Sequence, residues 1–265
     1  MPNDLAAGPA IAGSAHAAAP PLDHKLATLR AVLKEIQDDF APAAFASSFG
    51  AEDMVLTDLI AREFPGIKVF TLDTGRLPRE TLDLMSAVRA RYGLRVSVYT
   101  PISEIVEDFV ARKGLNAFYD SVENRKSCCY IRKVEPLARA LVGKKAWLTG
   151  LRREQAASRH AVAESESDEA HGNTKFNPLA DWTEADVWAY LRANAVPYNK
   201  LHDRGYPSIG CEPCTRAVKP GEDPRAGRWW WENEAGQKEC GLHVQSVDAS
   251  AITRRNAAAP NGIAP

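Results

Sequence analysis

The sequence contains no apolar run that approaches the ~20 residues needed for a membrane-spanning helix. It also has no excess of charge of one sign, because 33 Lys and Arg nearly balance 34 Asp and Glu. This balance argues against binding nucleic acid or a membrane through bulk charge, so an anion would need a local basic cluster. The first residues lack the basic start and compact apolar stretch of a secretion signal, and a cytoplasmic protein is expected.

Cysteine is scarce and odd in number, since the chain has five cysteines. Five thiols cannot all pair in internal disulfides, and a reducing compartment would keep them as free thiols. Metal binding or catalysis therefore explains these residues better than structural disulfides do.

The two ends of the chain are rich in Ala, Pro and Gly, and we predict disordered tails at residues 1–21 and 248–265. The composition between them is typical of a globular protein, so residues 22–247 are predicted to form one α/β domain. This domain would end in a C-terminal catalytic segment at about residues 229–247. Its run Trp229-Trp230-Trp231 is interpreted first as an anchor to the core and second as a cover for a bound base.

Short apolar runs alternate with amphipathic segments through the first two thirds of the chain. Strands are predicted at 43–47, 67–72, 95–99 and 146–150, and helices at 22–40, from about 52, from about 78, at 104–112, 125–141 and 183–193. This alternation predicts a parallel sheet flanked by helices. Residues 151–180 and 195–245 are predicted to be loops over one end of the sheet, and the acidic stretch 164–169 to be a solvated loop.

Polar strand ends indicate a ligand crevice, because ligands of parallel sheets bind beyond the carboxyl ends of the strands. The turn after the first strand offers hydroxyls and helix-start N–H groups, which attract phosphate or sulfate. Basic residues gather in the second half of the chain; each alone is more often a solvated surface residue, but together they favour an anionic ligand. The candidate substrate-binding residues are Ser47, Ser48, Gly50, Glu52, Asp53, Asp73, Thr74, Gly75, Gly150, Arg152, Arg153, Arg159, Arg225 and Arg228.

Four of the cysteines form two pairs, Cys128-Cys129 and Cys211-Glu-Pro-Cys214. Two thiolate pairs from distant parts of a chain are typical of a four-thiolate metal site. A thiol–disulfide motif is a weaker alternative, because the CxxC is far from the first βα turn. Structural zinc is a stronger one, but adjacent cysteines fit poorly around one tetrahedral ion. A [4Fe–4S] cluster, on which each thiolate reaches a different iron, is the favoured interpretation.

The fifth cysteine, Cys240, follows charged residues and precedes a glycine, with no apolar periodic segment around it. A free cysteine is often a small buried hydrophobic residue. The surroundings of Cys240 instead predict an exposed and mobile thiol, which suits a nucleophile.

Taken together, these motifs resemble the assimilatory sulfonucleotide reductases, in particular their adenosine 5′-phosphosulfate (APS) reductase branch. The resemblance spans nearly all of the chain between the predicted tails. The segments that carry it are Ser-Phe-Gly-Ala-Glu-Asp from 48, Asp-Thr-Gly-Arg-Leu-Pro from 73, Cys-Cys-Tyr-Ile-Arg-Lys from 128, Gly-Leu-Arg-Arg-Glu-Gln from 150, Lys-Phe-Asn-Pro-Leu from 175, Gly-Tyr-Pro-Ser-Ile-Gly-Cys-Glu-Pro-Cys-Thr-Arg from 205 and Glu-Cys-Gly-Leu-His from 239.

The resemblance implies a nucleotide α-hydrolase-like, PP-loop-related fold and a two-step reaction. The Cys240 thiolate would attack the sulfur of APS and release AMP, and thioredoxin (or glutaredoxin) would then release sulfite from the Cys240 S-sulfonate. The implied catalytic residues are Cys240, Lys133 and His243, and the implied metal ligands are Cys128, Cys129, Cys211 and Cys214. Lys133 lies four residues after Cys129 on a predicted helix, from which it can face both cluster and substrate. Homo-oligomerisation stays open, and no nucleic acid or membrane partner is expected.

Three alternatives remain beside APS reduction. The 3′-phosphorylated (PAPS) reductase branch, or dual specificity, shares the fold, although PAPS reductases typically lack the four cluster cysteines. An iron–sulfur tRNA thiolase would need a Ser-Gly-Gly-x-Asp-Ser loop, which residues 48–53 do not match. A zinc-stabilised binding module, with Cys240 incidental, would be colourless where an iron–sulfur protein is brown.

Overall fold

A computed structural model describes residues 21–232, so Cys240, His243 and the rest of the predicted catalytic segment beyond 232 lie outside the described residues. The α-helices within 21–232 are α1 (Leu22–Asp39), α2 (Ala51–Glu63), α3 (Arg79–Tyr92), α4 (Ser103–Lys113), α5 (Val122–Cys129), α6 (Glu135–Leu141) and α7 (Glu184–Ala193). The strands are β1 (Ala43–Ala46), β2 (Lys68–Leu72), β3 (Ser97–Tyr99), β4 (Ala146–Leu148), β5 (Ser165–Asp168) and β6 (Asn173–Phe176).

The strands form one sheet in the order β3-β2-β1-β4-β6-β5. All neighbours pair in parallel except β5, which runs antiparallel to β6 at the edge. The predicted α/β class, a mostly parallel sheet flanked by helices, is therefore confirmed. Strand β1 lies in the interior of the order, so the turn that follows it opens at the middle of the sheet's carboxyl edge.

Both faces of the sheet are covered, because successive residues of a strand point to opposite sides. Phe45 and Leu148 belong to the larger core, which is formed with helices α1, α2, α3 and α7. Ala44 and Trp147 belong to a smaller core, which Leu137 and its neighbours on α6 cover. No helix within the described range is long and apolar enough to cross a membrane.

The prediction of loops at 151–180 was wrong for β5 and β6, and the predicted solvated loop at 164–169 is largely strand β5. The acidic side chains of this edge strand have partners on β6, which is next to it, and on β4, which lies beyond β6. Glu166 accepts from Lys175 Nζ on β6 at 2.8 Å, and Asp168 accepts from Trp147 Nε1 on β4 at 2.8 Å. These cross-strand partners compensate for a composition that disfavours strands.

The helix predicted at 125–141 is divided into three pieces. Ser121 caps the start of α5 by accepting from the backbone N–H of Asn124 at 3.1 Å. A π-helical turn, Tyr130–Val134, then separates α5 from α6. Turns of this kind are rare in proteins, and those that occur are often found at functional sites. This one contains Lys133.

Candidate active site

The turn between β1 and α2 is held by its own side chains. Ser48 donates from both its backbone N–H and its hydroxyl to Asp53 Oδ2, at 2.6 Å each. Phe49, fully buried, adopts a left-handed backbone with φ of 60°. A bulky residue rarely adopts that conformation unless its surroundings enforce it. The turn is therefore a fixed surface at the carboxyl edge of the sheet.

Asp53 joins this turn to the end of β4. Its buried carboxylate also accepts a hydrogen bond from the backbone N–H of Gly150. A Cβ atom at position 150 would lie 2.2 Å from Asp53 Oδ1, so the close approach requires glycine. Burial raises the pKa of Asp53 to about 6, although the hydrogen bonds from Ser48 and Gly150 act in the opposite direction.

Arg152 extends the same set of internal contacts. Its Nε and Nη2 atoms lie 2.9 Å and 2.8 Å from Glu52 Oε1 on α2. Its Nη1 donates to Glu154 Oε2 at 3.0 Å and to the Trp182 carbonyl at 3.3 Å. The buried guanidinium thus ties α2 to the segment after β4. The Ser47–Asp53 turn, Gly150 and Arg152 are called the strand-end side of the cleft below.

Thr74, at the end of β2, connects the sheet edge to the cysteines. Its hydroxyl lies 3.2 Å from Cys211 Sγ, and its carbonyl accepts from Arg132 Nη1 at 2.6 Å. The neighbouring Asp73 accepts from the backbone N–H of Gly75 at 2.9 Å, and Gly75 has a φ of 68°. Asp73 and Gly75 therefore shape the turn that presents Thr74.

The two cysteine pairs meet, although more than 80 residues separate them in the sequence. Cys211 and Cys214 are buried with Phe118 and Trp229, and Cys128 and Cys129 pack against this group. All four are free thiols. Together with Arg228 and Trp229 they are called the cysteine side of the cleft.

Burial raises the pKa of two of these thiols, Cys128 and Cys214. Burial raises the pKa of Cys214 to about 12, the charge of Cys211 adds to this, and the charges of Lys133 and Arg228 oppose it. Burial also raises the pKa of Cys128, against the charge of Arg132. A cation bound to the sulfur atoms would reverse this balance, because metal coordination deprotonates thiols.

Within residues 21–232 no three His, Cys, Asp or Glu side chains are already arranged to hold a metal ion. The donor set nevertheless fits a thiolate-ligated centre. Four thiols share one buried cluster, aromatic side chains surround them, and Lys133, Arg132 and Arg228 are close enough to influence their charge.

Trp229 anchors the start of the C-terminal segment, in agreement with the first interpretation of the Trp run. Its buried ring lies between two guanidinium groups, with Arg125 at 4.7 Å and Arg228 at 4.8 Å from the ring centre. Arg125 also forms a buried, two-bonded ion pair with Glu232, at 2.6 Å and 3.1 Å. The last described residues are thus attached to α5, the helix that ends at Cys128 and Cys129.

A cleft lies between the two sides and brings most of the candidate residues together. The candidates that line it are Ser47, Ser48, Gly50, Glu52, Asp53, Thr74, Gly150, Arg152, Arg159, Arg225, Arg228 and Lys133. Asp73, Gly75 and Arg153 are not part of this lining. Arg153 instead donates to the Val162 carbonyl at 2.7 Å and pairs with Asp181. The substrate-binding roles of all these residues stay predictions.

The cleft lining also contains polar residues that were not among the candidates, including His202 and Gln155. Gln155 was quoted within a motif without a role; its side-chain oxygen accepts from Arg159 Nη1 at 2.5 Å and from the Arg152 N–H at 3.1 Å. His202 lies in a region predicted to be loop, and a single histidine has no spacing that predicts its place in a site.

Comparisons with known proteins identify the family that the chain resembles. Residues 42–217 match the family model of the phosphoadenosine phosphosulfate reductase domain. Adenosine 5′-phosphosulfate reductase from Burkholderia cepacia is 56% identical over 234 residues, which cover 88% of this chain and 93% of that protein.

Two solved structures extend the comparison. Phosphoadenylyl-sulfate (PAPS) reductase from Candida auris, in a phosphate complex, superposes with a TM-score of 0.61 at 33% identity, covering 74% of this chain and 96% of that one. FMN adenylyltransferase from Candida glabrata superposes with a TM-score of 0.51 at 15% identity, covering 93% and 85%. The second likeness shows the fold alone, and the two support the predicted PP-loop-related class.

Proposed function

The chain belongs to the phosphoadenosine phosphosulfate reductase domain family, and we propose that it reduces APS to sulfite and AMP with thioredoxin (or glutaredoxin) as the reductant. The observation that carries the proposal is the position of the four-cysteine cluster. It adjoins the cleft at the carboxyl edge of the sheet, where Lys133, Arg225 and Arg228 are in the lining. The 56% identity to an APS reductase favours APS as the substrate.

The chemistry requires a nucleophile and charge neutralisation. The Cys240 thiolate attacks the sulfur of APS, the S–O bond to the AMP phosphate breaks, and AMP leaves with the electron pair. A thioredoxin thiolate then attacks the Cys240 sulfur, releases sulfite and forms a mixed disulfide, which the second thioredoxin thiol resolves. The two electrons of the reduction come from the thioredoxin dithiol. His243 is proposed to assist near Cys240; both lie outside the described residues.

The cationic residues of the cleft favour the approach of a thiolate to an anionic sulfate. Fixed positive groups aimed at developing charge are commonly the largest contribution to catalysis. Lys133 lines the cleft and also influences the charge of Cys214, so it is suited to act between substrate and cysteines. Arg225 and Arg228 also line the cleft and are proposed to neutralise the charge of the phosphosulfate.

Cys128, Cys129, Cys211 and Cys214 are proposed to hold a [4Fe–4S] cluster. When bound, the cluster supplies a charged centre beside Lys133 and stabilises the fold around the four thiolates. No change in its redox state is needed, because thioredoxin supplies the electrons.

Single-turnover chemistry tests the proposal through Cys240. With APS and no thioredoxin, the protein should gain one sulfonate at Cys240 and release an equal amount of AMP, as measured by peptide mass spectrometry and nucleotide analysis. Reduced thioredoxin should then release sulfite. Cys240→Ser should keep the brown colour and bind APS but form no adduct. A sulfonate on another residue, or sulfite production by this variant, would overturn the assignment.

PAPS reduction is the second candidate, because the family model and the Candida auris structure bear that name. Sulfite release from APS and from PAPS, assayed side by side at equal concentration, separates strict from dual specificity. Faster turnover of PAPS would replace APS as the proposed substrate.

A further inference from the structure

His202 presents an unsatisfied polar atom at the cleft. Its ring lines the cleft and packs edge-on against Trp188, with 5.3 Å between the ring centres. Its Nε2 atom is shielded from solvent and has no hydrogen-bond partner among the described residues. Buried polar atoms in native proteins are nearly always paired, so an orphan that lines a binding cleft indicates a partner supplied by the ligand.

The protonation state of the His202 ring decides whether its partner must donate or accept a hydrogen bond. Burial lowers the pKa of His202, even though the charge of Glu52 and a hydrogen bond with the Tyr206 backbone act in the opposite direction. The ring is therefore neutral at neutral pH and has one N–H. The hydrogen bond with the Tyr206 backbone favours the protonated ring, so in it a ring N–H donates to a backbone carbonyl. Nε2 has no partner among the described residues, so this N–H is not on Nε2. The N–H is therefore assigned to Nδ1, and Nε2 has a lone pair that can only accept a hydrogen bond.

The charged groups near His202 differ from those near the cysteines, and the two parts of the cleft suit different parts of a ligand. Among the charged groups that act on His202 are the carboxylates of Glu52, Asp203 and Glu184, of which Glu52 is paired with Arg152. Those that act on the cysteines include Lys133, Arg132 and Arg228. A phosphosulfate is attracted to the cationic groups near the cysteines. The neutral nucleoside part of the substrate would then lie in the part of the cleft near His202, where Arg152 pairs with Glu52.

We propose that His202 is a specificity-determining residue whose Nε2 accepts a hydrogen bond from a donor of the nucleoside part of the substrate, either a ribose hydroxyl or the adenine amino group. This inference rests on the proposed function.

The test measures the affinity of AMP for the whole protein and for variants at position 202. His202→Phe keeps a ring without an acceptor, and His202→Asn keeps a polar group near Nδ1 but none near Nε2. Both should weaken AMP binding by roughly 3- to 10-fold, the usual effect of one neutral hydrogen bond. His202→Gln, which can place an oxygen near Nε2, should restore most of the affinity. His160→Phe, at an exposed position, is the matched control and should bind as the wild type does.

Three analogues identify the donor: 2′-deoxy-AMP, 3′-deoxy-AMP and purine riboside 5′-monophosphate, which lacks the amino group. The one that lacks the donor should bind the wild type as weakly as His202→Phe binds AMP, and should lose nothing further in that variant. Unchanged AMP affinity in both the Phe and Asn variants would overturn the proposal. So would an equal loss for AMP and all three analogues, because His202 would then act through packing. If the wild type binds AMP and releases sulfite from APS, the proposed function stands whatever the His202 variants show. If the wild type does neither, both the proposed function and the role of His202 are overturned.

Discussion

On the strand-end side of the cleft the polar groups bind one another, whereas on the cysteine side two buried polar atoms have no hydrogen-bond partner among residues 21–232. Asp53 is satisfied by Ser48 and Gly150, and Arg152 by Glu52. Across the cleft, Cys211 and Cys214 are buried, with Cys128 and Cys129 half-buried against them, and the unpartnered atoms are Arg228 Nε and Trp229 Nε1. On the first side, these side chains hold the protein's own turns in place. The second has the residues that the proposed cofactor and an anionic substrate would need.

The difference has a consequence for mutational effects. Substitutions on the strand-end side should change stability first, because the side chains there hold the protein's own turns. Substitutions on the cysteine side should change cofactor content or the chemical step. The following variants test this division, from the largest expected effect to the smallest.

Loss of a cluster ligand should have the largest effect. Cys211→Ser should lose iron, sulfide and the broad visible absorption, because a serine hydroxyl is a poor replacement for a thiolate on iron. Without the cluster, the buried region around Phe118 and Trp229 should also unfold more easily. Iron and sulfide analysis with a thermal melt measures both effects. Cys240→Ser is the matched control and should retain the colour. Undiminished iron in Cys211→Ser would remove this residue from the ligand set.

The fold was largely predictable because local signals agree with tertiary structure. The Thr183 side chain caps α7 by accepting from the backbone N–H of Asp186, and the Thr183 N–H donates to Asp186 Oδ2 at 2.8 Å. This reciprocal pattern can be recognised in a sequence as a helix start. The apolar residues of β1 likewise marked a buried strand. Strand β5 was missed because Ser165–Asp168 has the composition of a loop, and the partners that make it a strand come from β4 and β6.

The candidate site was predictable as a set of residues but not as a set of contacts. The cysteine pairs carry their own spacing, and they do come together. The sequence could not reveal that Asp53 points inward to Gly150, because that approach depends on how β1 and β4 are paired. Nor could it place His202, whose significance depends on an orphaned atom that only tertiary structure defines.

Lys133 tests the cysteine side without removing a ligand. Lys133→Ala should slow the chemical step by roughly 100- to 1,000-fold, the usual cost of losing one preorganised charge-stabilising group. Iron content should stay near normal, because the four thiols are retained. Single-turnover formation of the Cys240 adduct measures the rate, and Lys126→Ala, at an exposed position of α5, is the matched control. An unchanged rate would show that Lys133 has no part in the chemical step.

Asp53 tests the strand-end side through pH, with the smallest expected effect. Burial raises the pKa of Asp53 from 3.8 to about 6, so the folded protein holds this proton more tightly than the unfolded chain does. The resulting stabilisation is complete below the unfolded pKa and is lost as pH rises through about 6. Asp53→Asn lacks this titration. The free energy of unfolding of the wild type should therefore rise, relative to the variant, by on the order of 1–3 kcal/mol between about pH 7 and about pH 4.5.

Denaturant unfolding at a series of pH values measures this difference, and Asp120→Asn, at an exposed position, is the control. A difference that stays constant over this pH range would show that the hydrogen bonds from Ser48 and Gly150 at least balance burial. The Asp53 carboxylate would then stay ionised over the range, as a buried charge compensated by the hydrogen bonds of its own turn.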